Sequence, residues 1–245
     1  MSERIKKIFE TKGKKLVTFT TGGDPDFNTS LEILKTIINN GINIIEIGMP
    51  FSDPMADGPT IQESSVRSLA NGTKINDIFE IVINVRKVNH EIPIILMGYY
   101  NSIFNLGIDN FTAKCAETGV DGLIIVDLQP EEDSELYTKS KEKNIDLIRL
   151  ITPTTDQKRL NTILSNASGF LYYVTVTGIT GQNSANIEEL KNSIDTIKSS
   201  TKLPIVAGFG IKNRNDVEQI STFTDGVVVG SSIVNIIKDN LNDKN

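Results

Sequence analysis

The sequence predicts a (β/α)8 barrel, and three observations carry that prediction. Eight short apolar or β-branched runs recur along the chain, and amphipathic stretches lie between them. Most of these runs are nearly continuously apolar, as in parallel strands covered on both faces, rather than alternating as in a half-solvated sheet. No linker or shift in composition divides the 245 residues, so residues 1–245 are expected to form a single barrel domain.

An N-terminal helix carrying Ile5, Ile8 and Phe9 precedes the first run. The expected strands are KLVTFTT (15–21), INIIEIG (42–48), IPIILMGYY (92–100), VDGLIIVD (120–127), IDLIRLIT (145–152), GFLYYVTV (169–176), LPIVAGFG (203–210) and DGVVVGS (225–231). After the first, SLEILKTIINNG places Leu31, Ile33, Leu34, Ile37 and Ile38 on one helical face, with Gly41 as a C-terminal cap. After the second, INDIFEIVINVRKV repeats the pattern with Ile75, Ile78, Phe79 and Val82. Cys115 falls on an amphipathic helix as a small core residue, and His90 closes a helix at the surface. PEEDSE (130–135) reads as the acidic first turn of a helix, favoured by the helix dipole. A short helix, GSSIVNII, follows the last strand. An open doubly wound sheet is the competing fold. It would want GxGxxG after the first strand, and GGDP (22–25) is a turn instead.

Bulk properties narrow the function. A net charge of -6 argues against a nucleic-acid surface, which needs a basic stripe. One cysteine and one histidine exclude a disulfide framework, a thiolate cluster and a histidine metal site. No window reaches the roughly 18 apolar residues of a membrane span. MSERIKKIFETKGKK has no apolar run behind its charges, so a cytoplasmic protein is expected.

In such barrels the chemistry sits at the C-terminal ends of the strands. Three late ends are glycine-rich: GITG (178–181), GFG (208–210) and GSS (230–232). Glycine lets backbone N–H groups approach an anion, and a helix start adds a favourable dipole. Together they predict a phosphorylated ligand. Glu46 suggests the reaction, because it shares a strand face with Ile44 and Gly48 in an otherwise apolar run. A carboxyl in an apolar barrel mouth has a raised pKa and can exchange protons near neutrality. Asp57 follows eleven residues later, in a loop stiffened by Pro54 and Pro59 and turned at Gly58. Two carboxyls in unlike environments make a general acid/base arrangement. Asp53 in the same loop is also compatible with ordinary turn chemistry. Lys14 and Lys15 lie at the starting end of a strand, which argues against a Schiff-base aldolase.

IEIG followed by PFSDPMADGPTIQ (50–62) resembles the signature of the tryptophan synthase alpha chain family. The resemblance extends over FTTGGDP (19–25), GYYN (98–101), DGLIIVDL (121–128), GFLYYVTVTGITG (169–181), GFGIKN (208–213) and VVVGSSIV (227–234). It implies cofactor-free retro-aldol cleavage of indole-3-glycerol phosphate to indole and glyceraldehyde 3-phosphate. Glu46 matches the main acid/base and Asp57 the acid that accepts the indole N–H. Tyr172 matches a tyrosine near the reacting glycerol, and Phe19 and Phe209 match contacts to the indole. Gly181, Gly210, Gly230 and Ser231 match the phosphate cradle. Thr180 matches a loop residue that helps close the site over Asp57. The resemblance also implies a pyridoxal-phosphate beta chain as partner, in an alpha2-beta2 tetramer.

Two departures carry their own expectations. The sequence ends at KDNLNDKN after a single short helix, so an uncovered apolar strip is expected beside the last strand unless the N-terminal helix or a partner covers it. Gln129 stands where the family often has proline, in a region that, with the 50–54 loop, contributes to the family's partner surface. Two other readings remain. One is another phosphate-binding barrel isomerase of amino-acid biosynthesis, with Asp24 or Asp127 as its acid. The other is a non-catalytic activating subunit.

Overall fold

The computed structural model describes residues 1–174, 184–208, 211 and 213–241. Among the described residues, nine parallel strands lie in the order β5-β4-β3-β2-β1-β9-β8-β7-β6. They are β1 (Lys15–Thr21), β2 (Ile44–Gly48), β3 (Ile94–Gly98), β4 (Gly122–Ile125), β5 (Asp146–Leu147), β6 (Arg149–Ile151), β7 (Leu171–Val174), β8 (Ile205–Gly208) and β9 (Gly226–Val229). β5 and β6 are halves of one expected strand, divided at Ile148, whose N–H still donates to Leu123 O. β5 pairs with β4 and β6 with β7, so the sheet closes on itself. The eight expected strands are thus all present.

Both faces of the sheet are buried, which is why the strands read as continuous apolar runs. Inward-facing Val17, Phe19, Ile44, Ile95, Ile124 and Val206 belong to one interior cluster. Outward-facing residues pack under the helices in two further clusters. Helix α1 (Glu3–Glu10) delivers fully buried Ile5 to the interior cluster, and Phe9 tilts against Phe170 at 5.6 Å. The N-terminal helix therefore plugs the lower end of the barrel. The helices after β1 and β2 include α2 (Phe27–Asn39), α3 (Pro59–Ala70) and α4 (Ile75–Val88). Cys115 is buried and His90 exposed, as expected.

Two expectations need correction. The strip beside the last strand is not uncovered: Val227 and Val228 of β9 are 2% and 3% exposed. Val228 joins the interior cluster. Val227 packs outside with Ile220 of α10 (Arg214–Ser221) and with Phe223. Helix α11 (Ser231–Asp239) lies against β1 and α3. The acidic run at 130–135 is the first turn of a helix only at its end. Helix α7 (Ser134–Glu142) begins late in the run, and only Glu135 lies in its first turn. Asp133 is 1% exposed, pairs with the buried guanidinium of Arg149 and accepts a hydrogen bond from Asn166 Nδ2 at 3.0 Å. A buried guanidinium requires a counter-charge, and that need places Asp133 inside. Among the described residues, no helix is long and apolar enough to cross a membrane.

Candidate active site

Glu46 sits at the middle of β2, in register with Phe19 of β1 and Ile95 of β3. Alternation along the strand turns it to the same side as Ile44, into the barrel. It is 1% exposed, and its Oε1 has no hydrogen-bond partner among the described residues. Burial, reinforced by the negative charge of Asp57, pushes its carboxyl up to about 8. At neutral pH the folded chain therefore holds Glu46 mainly as an acid that can both give and retake a proton.

Asp57 comes from the loop between β2 and α3. Its N–H donates to Pro54 O at 3.0 Å, Gly58 caps α3, and Pro59 is the first helical residue. This Pro-Gly punctuation fixes the chain next to the carboxylate. Burial raises the Asp57 pKa, and a hydrogen bond from Tyr99 opposes the rise. Asp57 shares an apolar cleft with Phe19, Met49, Met97 and Val126. The two acids thus have the unlike environments expected of them: one inside, with its Oε1 unpartnered among the described residues, the other hydrogen-bonded at the rim.

Tyr172 of β7 is 7% exposed, and burial, Glu46 and Asp57 together hold its hydroxyl well above the ordinary range. Its ring lies over Gly208 of β8, where a Cβ would come within 2.4 Å of Tyr172 Oη. Gly208→Ala is expected to push this ring into the barrel. It should destabilise the chain by about 1–3 kcal/mol and lower kcat/KM at least roughly tenfold, read by thermal melts and initial rates. Wild-type behaviour in both would show that the ring relaxes freely.

Gly230 caps α11 and Ser231 is its first residue, so the start of that helix follows the last strand as expected. A Cβ at Gly230 would lie 3.3 Å from Phe19 Cβ, which places this helix start beside the cleft. Ser232 Oγ donates to Ile211 O at 2.9 Å and ties the start of α11 to the segment after β8. Glu46, Asp57, Phe19, Tyr172 and Gly230 thus converge on one end of the barrel. Thr180, Gly181, Phe209 and Gly210 lie outside the described residues.

The competing acids have other partners. Asp24 is 1% exposed and accepts two 2.8 Å hydrogen bonds from Arg67. Asp127 accepts Tyr100 N–H at 2.8 Å, at the start of helix α5 (Tyr100–Leu106). Asp53 is exposed and takes a hydrogen bond from Ser52 Oγ. Tyr99 is the site residue that sequence reasoning did not single out. It stacks on Phe51 at 5.1 Å, and its hydroxyl reaches both Asp57 and the backbone of the Asp57 loop. Its only sequence signal was its place in GYYN, at a strand's C-terminal end.

Known structures match this fold along nearly the whole chain. A structure of tryptophan synthase subunit alpha from Legionella pneumophila str. Paris superposes with a TM-score of 0.92 at 37% identity, covering 100% of this chain and 92% of that one. A structure from Aquifex aeolicus VF5 gives 0.89 at 37% identity, covering 98% and 92%. The Mycobacterium tuberculosis tryptophan synthase in its open form with BRD0059 bound gives 0.89 at 27% identity, covering 98% and 93%. The family model for the tryptophan synthase alpha chain matches residues 5–245, and with its acids placed as described, this chain belongs to that family.

Proposed function

We propose that this chain, as one (β/α)8 domain, cleaves indole-3-glycerol phosphate to indole and glyceraldehyde 3-phosphate. The observation that carries the proposal is Glu46, a buried carboxyl on an inward strand position with a raised pKa, its Oε1 without a partner among the described residues, facing the charge of Asp57. Glu46 delivers its proton to the indole carbon that bears the side chain. The carbon–carbon bond to the glycerol then breaks, and the adjacent hydroxyl loses its proton to the Glu46 carboxylate as its carbon becomes the aldehyde. Asp57 accepts the indole N–H and stabilises the positive charge that builds on the ring. Tyr172 sits by the reacting glycerol, and Phe19 and Phe209 contact the indole. Gly181, Gly210, Gly230 and Ser231 hold the phosphate, and Thr180 helps close the loop over Asp57. Acid/base chemistry by these groups accounts for every bond made or broken.

The family also supplies the setting: a cytoplasmic enzyme of tryptophan biosynthesis that docks on a tryptophan synthase beta chain in an alpha2-beta2 tetramer. The test is indole release from indole-3-glycerol phosphate by the purified chain, alone and with a beta chain. Turnover that rises on adding the beta chain is expected. No indole in either tube would remove the lyase reading.

A further inference from the structure

We propose that Tyr99 is a positioning residue for Asp57, orienting its carboxylate and holding it ready to accept the indole N–H. This rests on the assignment of Asp57 above. The hydroxyl of Tyr99 has one proton and, among the described residues, two hydrogen-bond neighbours: Ala56 N at 3.0 Å and Asp57 Oδ2 at 3.0 Å. A backbone amide can only donate, so Ala56 N–H donates to Oη. The hydroxyl proton is therefore free to point at Asp57 Oδ2. The direction of the bond is set by the loop's own backbone. Oδ2 is occupied, and among the described residues Oδ1 is the oxygen left for the indole N–H.

The support for Tyr99 is rigid. The residue is 3% exposed and stands just past β3, before α5. Its ring stacks on Phe51 with 23° between planes, and Phe51 leads into the same loop that carries Asp57. The loop is thus held to the barrel at three points: the stacked ring, Ala56 N and the Asp57 carboxylate. Among the described residues, the ionisable groups facing Asp57 are Glu46 of β2, Tyr99 and Tyr172 of β7, while Asp127 acts on the Tyr99 hydroxyl. None of these is a cation, so the Tyr99 hydrogen bond is what favours the ionised form of Asp57 against burial.

Tyr99→Phe keeps the ring and its stacking and removes only the hydroxyl. It is expected to lower kcat about tenfold or more with KM within about twofold, the loss typical of a hydrogen bond to a charged acceptor. The acid limb of the kcat/KM profile, set by ionisation of Asp57, should move to higher pH by about one unit. The alkaline limb, set by Glu46, should stay in place. Asp57→Asn is assayed beside it. If Asp57→Asn keeps full activity, the assignment of Asp57 fails. If Asp57→Asn is inactive but Tyr99→Phe has a wild-type acid limb, the positioning role fails and the assignment stands. A lower kcat with an unmoved acid limb would make Tyr99 a packing residue and also overturns the proposal. Should Tyr99→Phe be too inactive to profile, 13C-carboxyl NMR titration of Asp57 in both proteins reads the same shift directly, and equal titration midpoints overturn it.

Discussion

Glu46→Gln is expected to lower turnover sharply and, at pH 8, to stabilise the fold. The two effects share one cause. Glu46 is 1% exposed and its Oε1 lacks a partner among the described residues, so its ionised form is strongly disfavoured by burial. Its pKa rises from 4.5 to about 8. The unfolded chain loses this proton near the lower value and the folded chain near the upper one. Between them the folded state binds the extra proton, so stability falls as pH rises through that window. A shift from 4.5 to about 8 corresponds to a loss on the order of 5 kcal/mol by pH 8, as an upper limit. Glutamine cannot ionise and escapes that loss, although its buried amide costs about 1–3 kcal/mol if unbonded. The variant's Tm relative to wild type should therefore be several degrees more favourable at pH 8 than at pH 5, at roughly 2–4 °C per kcal/mol. Its kcat should fall about a thousandfold, since a general acid/base typically contributes about 10²–10⁴. The wild-type kcat/KM should lose activity above about pH 8, as Glu46 gives up the proton it must deliver. A Tm difference independent of pH, or retained turnover, would contradict the assignment.

The sequence made the barrel legible because its strands are buried on both sides. Runs such as IIEIG and GLII then contain little but apolar residues, and one acid among them stands out as Glu46 did. The helix start at Gly230 and Ser231 was legible from glycine and serine at a strand's end. What stayed hidden depends on pairing across long separations. Tyr99 reads as one more aromatic core residue, because its partner Asp57 comes from a loop 42 residues earlier. Asp133 reads as one more acid of a helix's first turn until folding brings Arg149 from β6 against it. The covering of the last strand could not be read from the final helix alone, because Ile220 and Phe223 supply the outer packing from earlier in the chain. Spacing reveals local pattern, whereas these contacts are set by the order of strands around the barrel.

Asp121 is hidden in the same way, and its removal has the largest effect on stability expected outside the site. It reads as the start of a strand, yet it is 1% exposed and gathers four donors. Oδ1 accepts Ser2 Oγ at 2.6 Å and Arg4 Nη1 at 3.1 Å. Oδ2 accepts Arg86 Nη2 at 2.6 Å and Ile94 N–H at 2.9 Å. One carboxylate thus joins the plug helix α1, helix α4 and strand β3 at the lower end of the barrel. Arg86 is 8% exposed, and burial pushes its pKa down to about 10, against which Asp121 supplies the counter-charge. Its remaining partners include the carbonyls of Gly119 and Ile92, which bear no charge. Asp121→Ala would leave a buried guanidinium without its carboxylate, a change that costs about 3–5 kcal/mol. For a chain of this size that lowers Tm by about 10 °C. Adding Arg86→Met to Asp121→Ala should recover part of the loss, because removing both charges avoids stranding one of them. Well below the melting range, kcat should stay within about twofold of wild type, since the cluster is at the opposite end of the barrel from Asp57 and Tyr99. A fall in kcat at unchanged Tm would reverse this division between the end that holds the barrel closed and the end that performs the chemistry.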